Sequence, residues 1–249
     1  MTTYNDYDPF AWIYNRHWGD SFLPVIMPVL DNMVLRRLPR GARVLDLCCG
    51  TGQLAGKLAS MGYKVTGLDG SPQMLLYARE NAPEVNFVQA DARSFKLPVK
   101  YNAVISAFDS LNHVMKLSEL EKVFARVYDT LKPGGIFLFD LNADEGFRQE
   151  WQGEFNGIED DHVFIVHNEY NETTRIALFD ITIFRLLDGS WYRTDLKLFQ
   201  KNHAPNRVKA ALKKAGFVDV QESGFDWQAG LKPLTTDARR IFYMCQKPK

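Results

Sequence analysis

The chain has 249 residues, 46% of them hydrophobic, enough to bury one sizeable core and to carry one insertion. Thirty basic residues balance thirty acidic ones, with no concentrated basic stripe of the kind a nucleic-acid groove needs, so a small molecule is the expected partner rather than RNA or DNA. No apolar run approaches a membrane span, and Met1 to Tyr14 is polar and aromatic rather than signal-like, which implies a cytoplasmic protein that does not enter a membrane.

Near the N-terminus, Phe10, Tyr14 and Trp18 recur at helical spacing and predict one packed helix face. Arg43 to Leu47 is short, apolar and β-branched at Val44, as a strand buried on both faces should be. Gly50 and Gly52 follow, permitting a tight turn and close approach of a ligand to the backbone. From Gln53 to Met61 the pattern is helical, with its first N–H groups aimed over the turn. Lys64 to Leu68 reads as a second strand ending in Asp69, whose carboxylate can accept from two ribose hydroxyls. A nucleoside site results, and two classes of ligand compete for it. Gly50 to Ala55 fits G-x-G-x-x-A, a dinucleotide fingerprint with a pyrophosphate on the helix N-terminus. Asp46, at the strand end, would repel a pyrophosphate and suits a cationic ligand. Cys48 and Cys49 are adjacent and Cys245 is remote, so the cysteines lack metal-ligand spacing, and no metal is expected.

A third strand, Val85 to Gln89, runs into Asp91, and a fourth, Tyr101 to Ala107, runs into Phe108, Asp109, Asn112 and His113. Ser118 to Leu131 is predicted to be a helix, opened by a Ser118/Glu121 capping box and stopped by Lys132-Pro133-Gly134-Gly135. Ile136 to Phe139 follows as a strand. Alternating strands and helices of this length imply a doubly wound parallel sheet. Phe147 to Phe155 is expected to be a short helix, and His162 to Tyr170, Arg175 to Leu187 and Trp191 to Gln200 three antiparallel strands, with Asp188-Gly189 as a hairpin turn. On the middle strand Phe179, Ile181 and Ile183 share one face and Asp180, Thr182 and Phe184 the other; the second face either meets a substrate or lies in solvent. Asn171-Glu172-Thr173 matches a glycosylation sequon but is expected to be only a turn. Val208 to Ala215 is a helix capped by Gly216, and Phe217 to Gly224 and Ile241 to Gln246 are closing strands.

The spacing Asp46-x-Cys48-x-Gly50-x-Gly52, with Asp69 beyond it, resembles the first motif of class I S-adenosylmethionine-dependent methyltransferases, Cys48 standing where the first glycine is usual. The resemblance covers Tyr7 to Ala143 well and Pro205 to Gln246 more loosely. It implies a seven-stranded Rossmann-like α/β sheet with the last strand antiparallel, formed by residues 1–141 and 202–249, and an inserted antiparallel β lid over residues 142–201. It also implies S-adenosylmethionine as cofactor, with S-adenosylhomocysteine as product. Asp46, Cys48, Gly50, Thr51, Gly52, Asp69, Gly70, Met74, Asp91, Ala92 and Phe108 would bind it, with Asp91 and Ala92 at the adenine. Tyr7-Asp8-x-Phe10-Ala11-x-x-Tyr14 is like the preamble of small-molecule members, in which an N-terminal helix covers the cofactor, and Tyr14 is the candidate there for cofactor or substrate contact. His113 is the candidate general base, because a near-neutral imidazole suits deprotonation of an amine or hydroxyl. Asp109, Asn112, Asp140 and Asp180 are candidate substrate contacts. The expected reaction is methyl transfer to an N or O nucleophile of a small molecule, by a monomer or homodimer. A non-catalytic S-adenosylmethionine-binding regulator and an NAD-dependent oxidoreductase are the other readings.

Overall fold

The computed structural model describes residues 7–249. At its centre lies β1 (Arg43–Leu47), whose Val44, Leu45 and Leu47 are fully buried. A strand apolar on both faces needs cover on both. Parallel neighbours flank it: β2 (Lys64–Asp69) and then β3 (Asn86–Gln89) on one side, β4 (Tyr101–Ser106) and then β5 (Leu131–Asn142) on the other. Alternate strand residues face opposite layers. Val44, Ala103, Ile105 and Leu138 pack with α2 (Leu23–Met33) and with Leu58 of α3 (Gln53–Ser60), while Leu45, Val104, Phe137 and Phe139 pack with α5 (Leu117–Thr130) and α7 (Pro205–Lys214). Beyond β5 the sheet continues through β12 (Arg240–Gln246), antiparallel to it, and β10 (Val218–Asp226).

The sheet has eight strands rather than the expected seven. Asp226 accepts the N–H groups of Gln228 and Ala229 at 2.9 Å each, turning the chain back so that β11 (Gly230–Pro233) pairs with the end of β10. A short strand made by a side-chain turn carries little signal of its own. The capping box at Ser118 and Glu121 does not form: α5 begins at Leu117 with Lys116 at the N-cap and no side-chain cap, and Glu121 is drawn to Lys214 of α7 at 2.6 Å.

Between β5 and α7 the chain builds a second sheet in the order β6 (Gly153–Glu159), β7 (His162–Asn171), β8 (Ile176–Leu187) and β9 (Ser190–Lys201), all antiparallel. The expected helix over 147–155 is displaced to α6 (Asp144–Glu150), and a fourth strand, not anticipated, takes Phe155. Gly153, in the left-handed region (φ +92), turns the chain into that strand, and Gly157 makes room for Phe164, whose ring a Cβ there would meet at 2.2 Å. Asp188 and Gly189, both at positive φ, form the β8–β9 turn as expected. Asn171 closes β7 in a turn, its side-chain oxygen accepting from Thr174 N at 2.9 Å. The inward face of this sheet, with Phe164, Val166, Ile181, Ile183, Leu196 and Leu198, packs on α1 (Ala11–His17) and on Met74 of α4 (Pro72–Asn81). Among the described residues no helix is long and apolar enough to cross a membrane.

Candidate active site

The turn after β1 is built from left-handed residues: Cys48 (φ +60), Gly50 (φ +51) and Gly52 (φ +84). The two glycines differ in purpose. A Cβ on Gly52 would lie 2.9 Å from Ala78 Cβ and 3.0 Å from Phe87 Cζ, so its bareness serves the packing of α4 and β3 rather than a ligand. Thr51 is fully buried, its hydroxyl donating to Gln53 Oε1 at 2.7 Å and its carbonyl accepting from Asn81 Nδ2 at 2.8 Å. Thr51 and Gly52 thus hold the turn from behind and are not among the residues that line the cavity. Gly50 does face it. Its N–H donates to Asp69 Oδ2 at 2.9 Å while Ser71 N donates to Asp69 Oδ1 at 2.9 Å, fixing the carboxylate at the end of β2. Ser71 in turn caps α4 and donates to Asp8 at 2.6 Å, which ties the N-terminal segment to the same point.

Over this turn lies a cavity of about 400 Å³. Gly50, Asp69, Gly70, Met74 and Ala92 line one end, with Arg93. Asp91 opens the turn there, accepting from Arg93 N at 2.7 Å and gripping the Arg93 guanidinium at 2.7–3.0 Å. Tyr14, Cys48 and Phe108 line both this cavity and a smaller one of about 50 Å³ that reaches Asp46. Phe108, itself left-handed (φ +62), stacks on Phe22 with centroids 4.5 Å apart. Tyr14 stands against Gly50, where a Cβ would be 3.6 Å from its ring, and burial raises its phenol pKa well above the usual range. Asp46 is 2% exposed and its Oδ2 has no partner among the described residues. Burial, aided by the nearby Asp69 charge, pushes its carboxyl up to about 7. The carboxylate has a backbone hydrogen bond from Ala55, but its second oxygen, buried beside a cavity, is costly unless a donor or cation meets it.

The other end is organised by a polar network. Asp109 (φ +50) accepts from Arg240 Nη2 at 2.8 Å and from Gln200 Nε2 at 2.5 Å, and its N–H donates to Asp140 Oδ2 at 3.0 Å. Arg240 also donates to Asp140 and lies over the rings of Phe22 (5.1 Å) and Trp227 (5.6 Å). Asp140 is fully buried and does not line the cavity; it anchors Asp109 and Arg240 rather than meeting a substrate. Asn112 is also fully buried, donating to the carbonyls of Asn142 (3.3 Å) and Lys201 (3.0 Å) and accepting from Asn142 N (2.9 Å). It clips β5 to β9 and has no free group for a ligand. Of the two positions expected for the Asp180 face, the outward one is found: Asp180 pairs with Lys197 at 2.8 Å, while the strand's alternation turns Phe179 into the cavity. His113 does line it, with Nδ1 2.9 Å from the Phe199 carbonyl and Nε2 3.1 Å from Gln200 Nε2.

Gln200, Arg240, Asn168, Trp151 and Trp227 line the cavity without having been anticipated. A signal existed for two of them: Gln200 continues the inward period of Leu196 and Leu198, and Arg240 heads the hydrophobic run Ile241 to Cys245. Each is a polar residue where the pattern calls for a core side chain.

The residues present fit an adenosyl ligand that carries a positive group. Asp69 lies beside Gly50, one oxygen of Asp46 has no donor among the described residues, and Tyr14 and Phe108 supply aromatic faces. The description "Methyltransferase domain" matches residues 44–135. Glycine/sarcosine N-methyltransferase of Aphanothece halophytica is 34% identical over 193 residues, covering 73% of this chain and 68% of that one. Among solved structures, an S-adenosylmethionine-dependent methyltransferase from Clostridium acetobutylicum superposes with TM-score 0.75 at 22% identity, over 98% of this chain and 99% of that one. The S-adenosylmethionine-bound amino pentose methyltransferase CalS10 from Micromonospora echinaspora gives 0.73 at 22% identity, over 96% of each. The cofactor is therefore S-adenosylmethionine rather than a dinucleotide, and the chain belongs to the class I S-adenosylmethionine-dependent methyltransferases.

Proposed function

We propose that this methyltransferase acts on an N or O nucleophile of a small molecule, with residues 142–201 as a lid over the cofactor-binding part, residues 1–141 and 202–249. The observation that carries the reading is the continuity of one cavity from Asp69 and Gly70 beneath the turn to Phe179, Leu198 and Gln200 on the lid's inward face. Two ligands that must react need one shared, water-poor space. The relatives named above, one a glycine/sarcosine N-methyltransferase and one an amino pentose methyltransferase, support an acceptor of that size. We place the enzyme in the cytoplasm, as a monomer or homodimer that meets neither membrane nor nucleic acid.

When bound, S-adenosylmethionine supplies a methyl group already activated on a sulfonium. Asp69 would hold the ribose hydroxyls, Asp91 and Ala92 would meet the adenine, and Asp46 would meet the α-amino group, which would relieve its buried charge. Gly50, Gly70 and Met74 shape the floor, and Cys48 and Phe108 the passage toward the acceptor. Tyr14, on the covering helix, closes the cavity against water. Asp109, held by Arg240 and Gln200, faces the acceptor. His113 receives the acceptor's proton at Nε2. Its Nδ1–H donates to the Phe199 carbonyl, and burial, partly opposed by Asp109, holds its pKa below the usual imidazole range, so Nε2 is an open base at neutral pH. The Gln200 amide now donating to that nitrogen is what an acceptor N–H or O–H would replace.

The test is incubation with methyl-labelled S-adenosylmethionine and separate panels of small amines, small hydroxylated compounds and RNA. Label appearing in a small amine or alcohol supports the reading. Label appearing only in RNA, or in no small acceptor across the panels, contradicts it.

A further inference from the structure

The inward face of β7 presents Phe164, Val166, Asn168 and Tyr170, a single amide set in an otherwise ring and aliphatic row. Two other polar side chains on the sheet's inward rows are paired. Tyr170 donates to Asp144 at 2.8 Å and accepts from Asn202 at 2.7 Å, and Gln200 bonds Asp109, His113 and Asn142. Asn168 lines the cavity, is 8% exposed, and its Oδ1 has no donor among the described residues. It lies in register with Gly153, Phe179 and Leu198 across the four strands. Gly153 leaves open space beside it, with no atom within 4 Å of where a Cβ would stand. Around Phe179 gather Trp151 (centroids 5.5 Å), Phe155 (6.1 Å) and Trp18 (6.3 Å).

An amide oxygen desolvated among rings regains its lost hydrogen bond only from a donor that enters the chamber. Among the described residues the cations that line the cavity are committed, Arg93 to Asp91 and Arg240 to Asp109 and Asp140. At the rim Glu150 accepts from Trp227 Nε1 at 3.0 Å and pairs with Arg239 at 3.4 Å, so that cation too is taken.

We propose that Asn168 selects the methyl acceptor by accepting a hydrogen bond from an uncharged N–H or O–H on a ring-shaped body, which Trp151, Phe155 and Phe179 enclose. This rests on the reading of the lid chamber as the acceptor site. Rings stack on such walls, and the amide oxygen reads one donor on them, whereas a carboxylate or phosphate would meet no uncommitted cation among the described residues.

The experiment titrates the protein, saturated with S-adenosylhomocysteine, with benzyl alcohol, toluene and benzoate, following tryptophan fluorescence and heat. The expected result is benzyl alcohol binding about tenfold tighter than toluene, with benzoate weakest. Asn168→Leu should abolish the preference for the alcohol over toluene, and the nearly isosteric Asn168→Asp should turn it toward benzylammonium, each with S-adenosylhomocysteine affinity unchanged. Equal binding of alcohol and toluene to the native protein, no binding of either, or a preference that survives in Asn168→Leu would overturn the proposal. Failure of S-adenosylhomocysteine itself to bind would instead overturn the reading beneath it.

Discussion

Gln200 Nε2 lies 3.1 Å from His113 Nε2, and because an amide nitrogen only donates, the imidazole nitrogen facing the cavity must be the unprotonated one. The other ring nitrogen meets a carbonyl at 2.9 Å, which requires a proton there. One glutamine therefore sets the tautomer of the candidate base while also holding Asp109.

His113→Ala should lower kcat by about 100-fold with S-adenosylhomocysteine affinity within about threefold of native, because His113 stands at the acceptor end of the cavity. Steady-state kinetics and calorimetry check the pair of values. Burial lowers the imidazole pKa, so the acid limb of kcat should fall below 6.5, the ordinary imidazole value, and disappear in the variant. The same shift bears on folding: a histidine that is harder to protonate in the fold contributes stability fully above the unfolded value and loses it as pH drops below it.

Asp46→Asn separates ligand binding from stability. The native carboxyl is raised to about 7 from 3.8, so the ligand-free protein loses stability as pH climbs between those values and the buried charge forms. The amide removes that loss, and the melting temperature of the ligand-free variant at pH 8 should rise by about 5 °C. Its affinity for S-adenosylhomocysteine should fall by about 10-fold or more, with the native gain between pH 5.5 and 7.5 abolished. Thermal denaturation and calorimetry across that range are the measurements.

Arg240→Met leaves Asp109 and Asp140, both buried, without their shared cation. Destabilisation of about 3–5 kcal/mol follows from stranding such charges. Arg240→Lys should recover little, since one ammonium cannot span two carboxylates as a guanidinium does. Denaturant titration reads both variants.

Much of the frame was legible because its signals are local. The short apolar run of Arg43–Leu47, the glycine turn, Asp69, and the apolar stripe of α5 each depend on a few neighbouring residues, and these elements stand where they were placed, α5 starting one residue early. What escaped depended on partners distant in sequence. β6 exists because Gly153 to Glu159 finds β7, and β11 because Asp226 folds the chain back. Asn112 and Asp140 were seen as polar groups beyond or at strand ends, and Asp180 as a polar group on one face of a lid strand. Whether they meet a ligand or a protein partner was decided by Lys197, Asn142 and Arg240, residues that local spacing does not connect to them. Gly52 and Thr51 show the same limit within a motif, since their sequence position does not tell the front of the turn from its back.

Gly52→Ala tests that last distinction. The left-handed φ and contacts near 3 Å with Ala78 and Phe87 should cost about 2–3 kcal/mol of stability, measurable by chemical denaturation. Gly50→Ala, which meets only the Tyr14 ring at 3.6 Å, should lose less stability and more cofactor affinity.

The most direct measurement is calorimetric titration of the native protein and of Asp69→Ala with S-adenosylmethionine, S-adenosylhomocysteine and NAD. The adenosyl ligands should bind the native protein at about micromolar affinity and lose about 100-fold in the variant, with NAD binding neither. Binding of NAD by the native protein, or adenosyl-ligand affinity unchanged in Asp69→Ala, would contradict the placement of the cofactor on the Gly50–Asp69 turn.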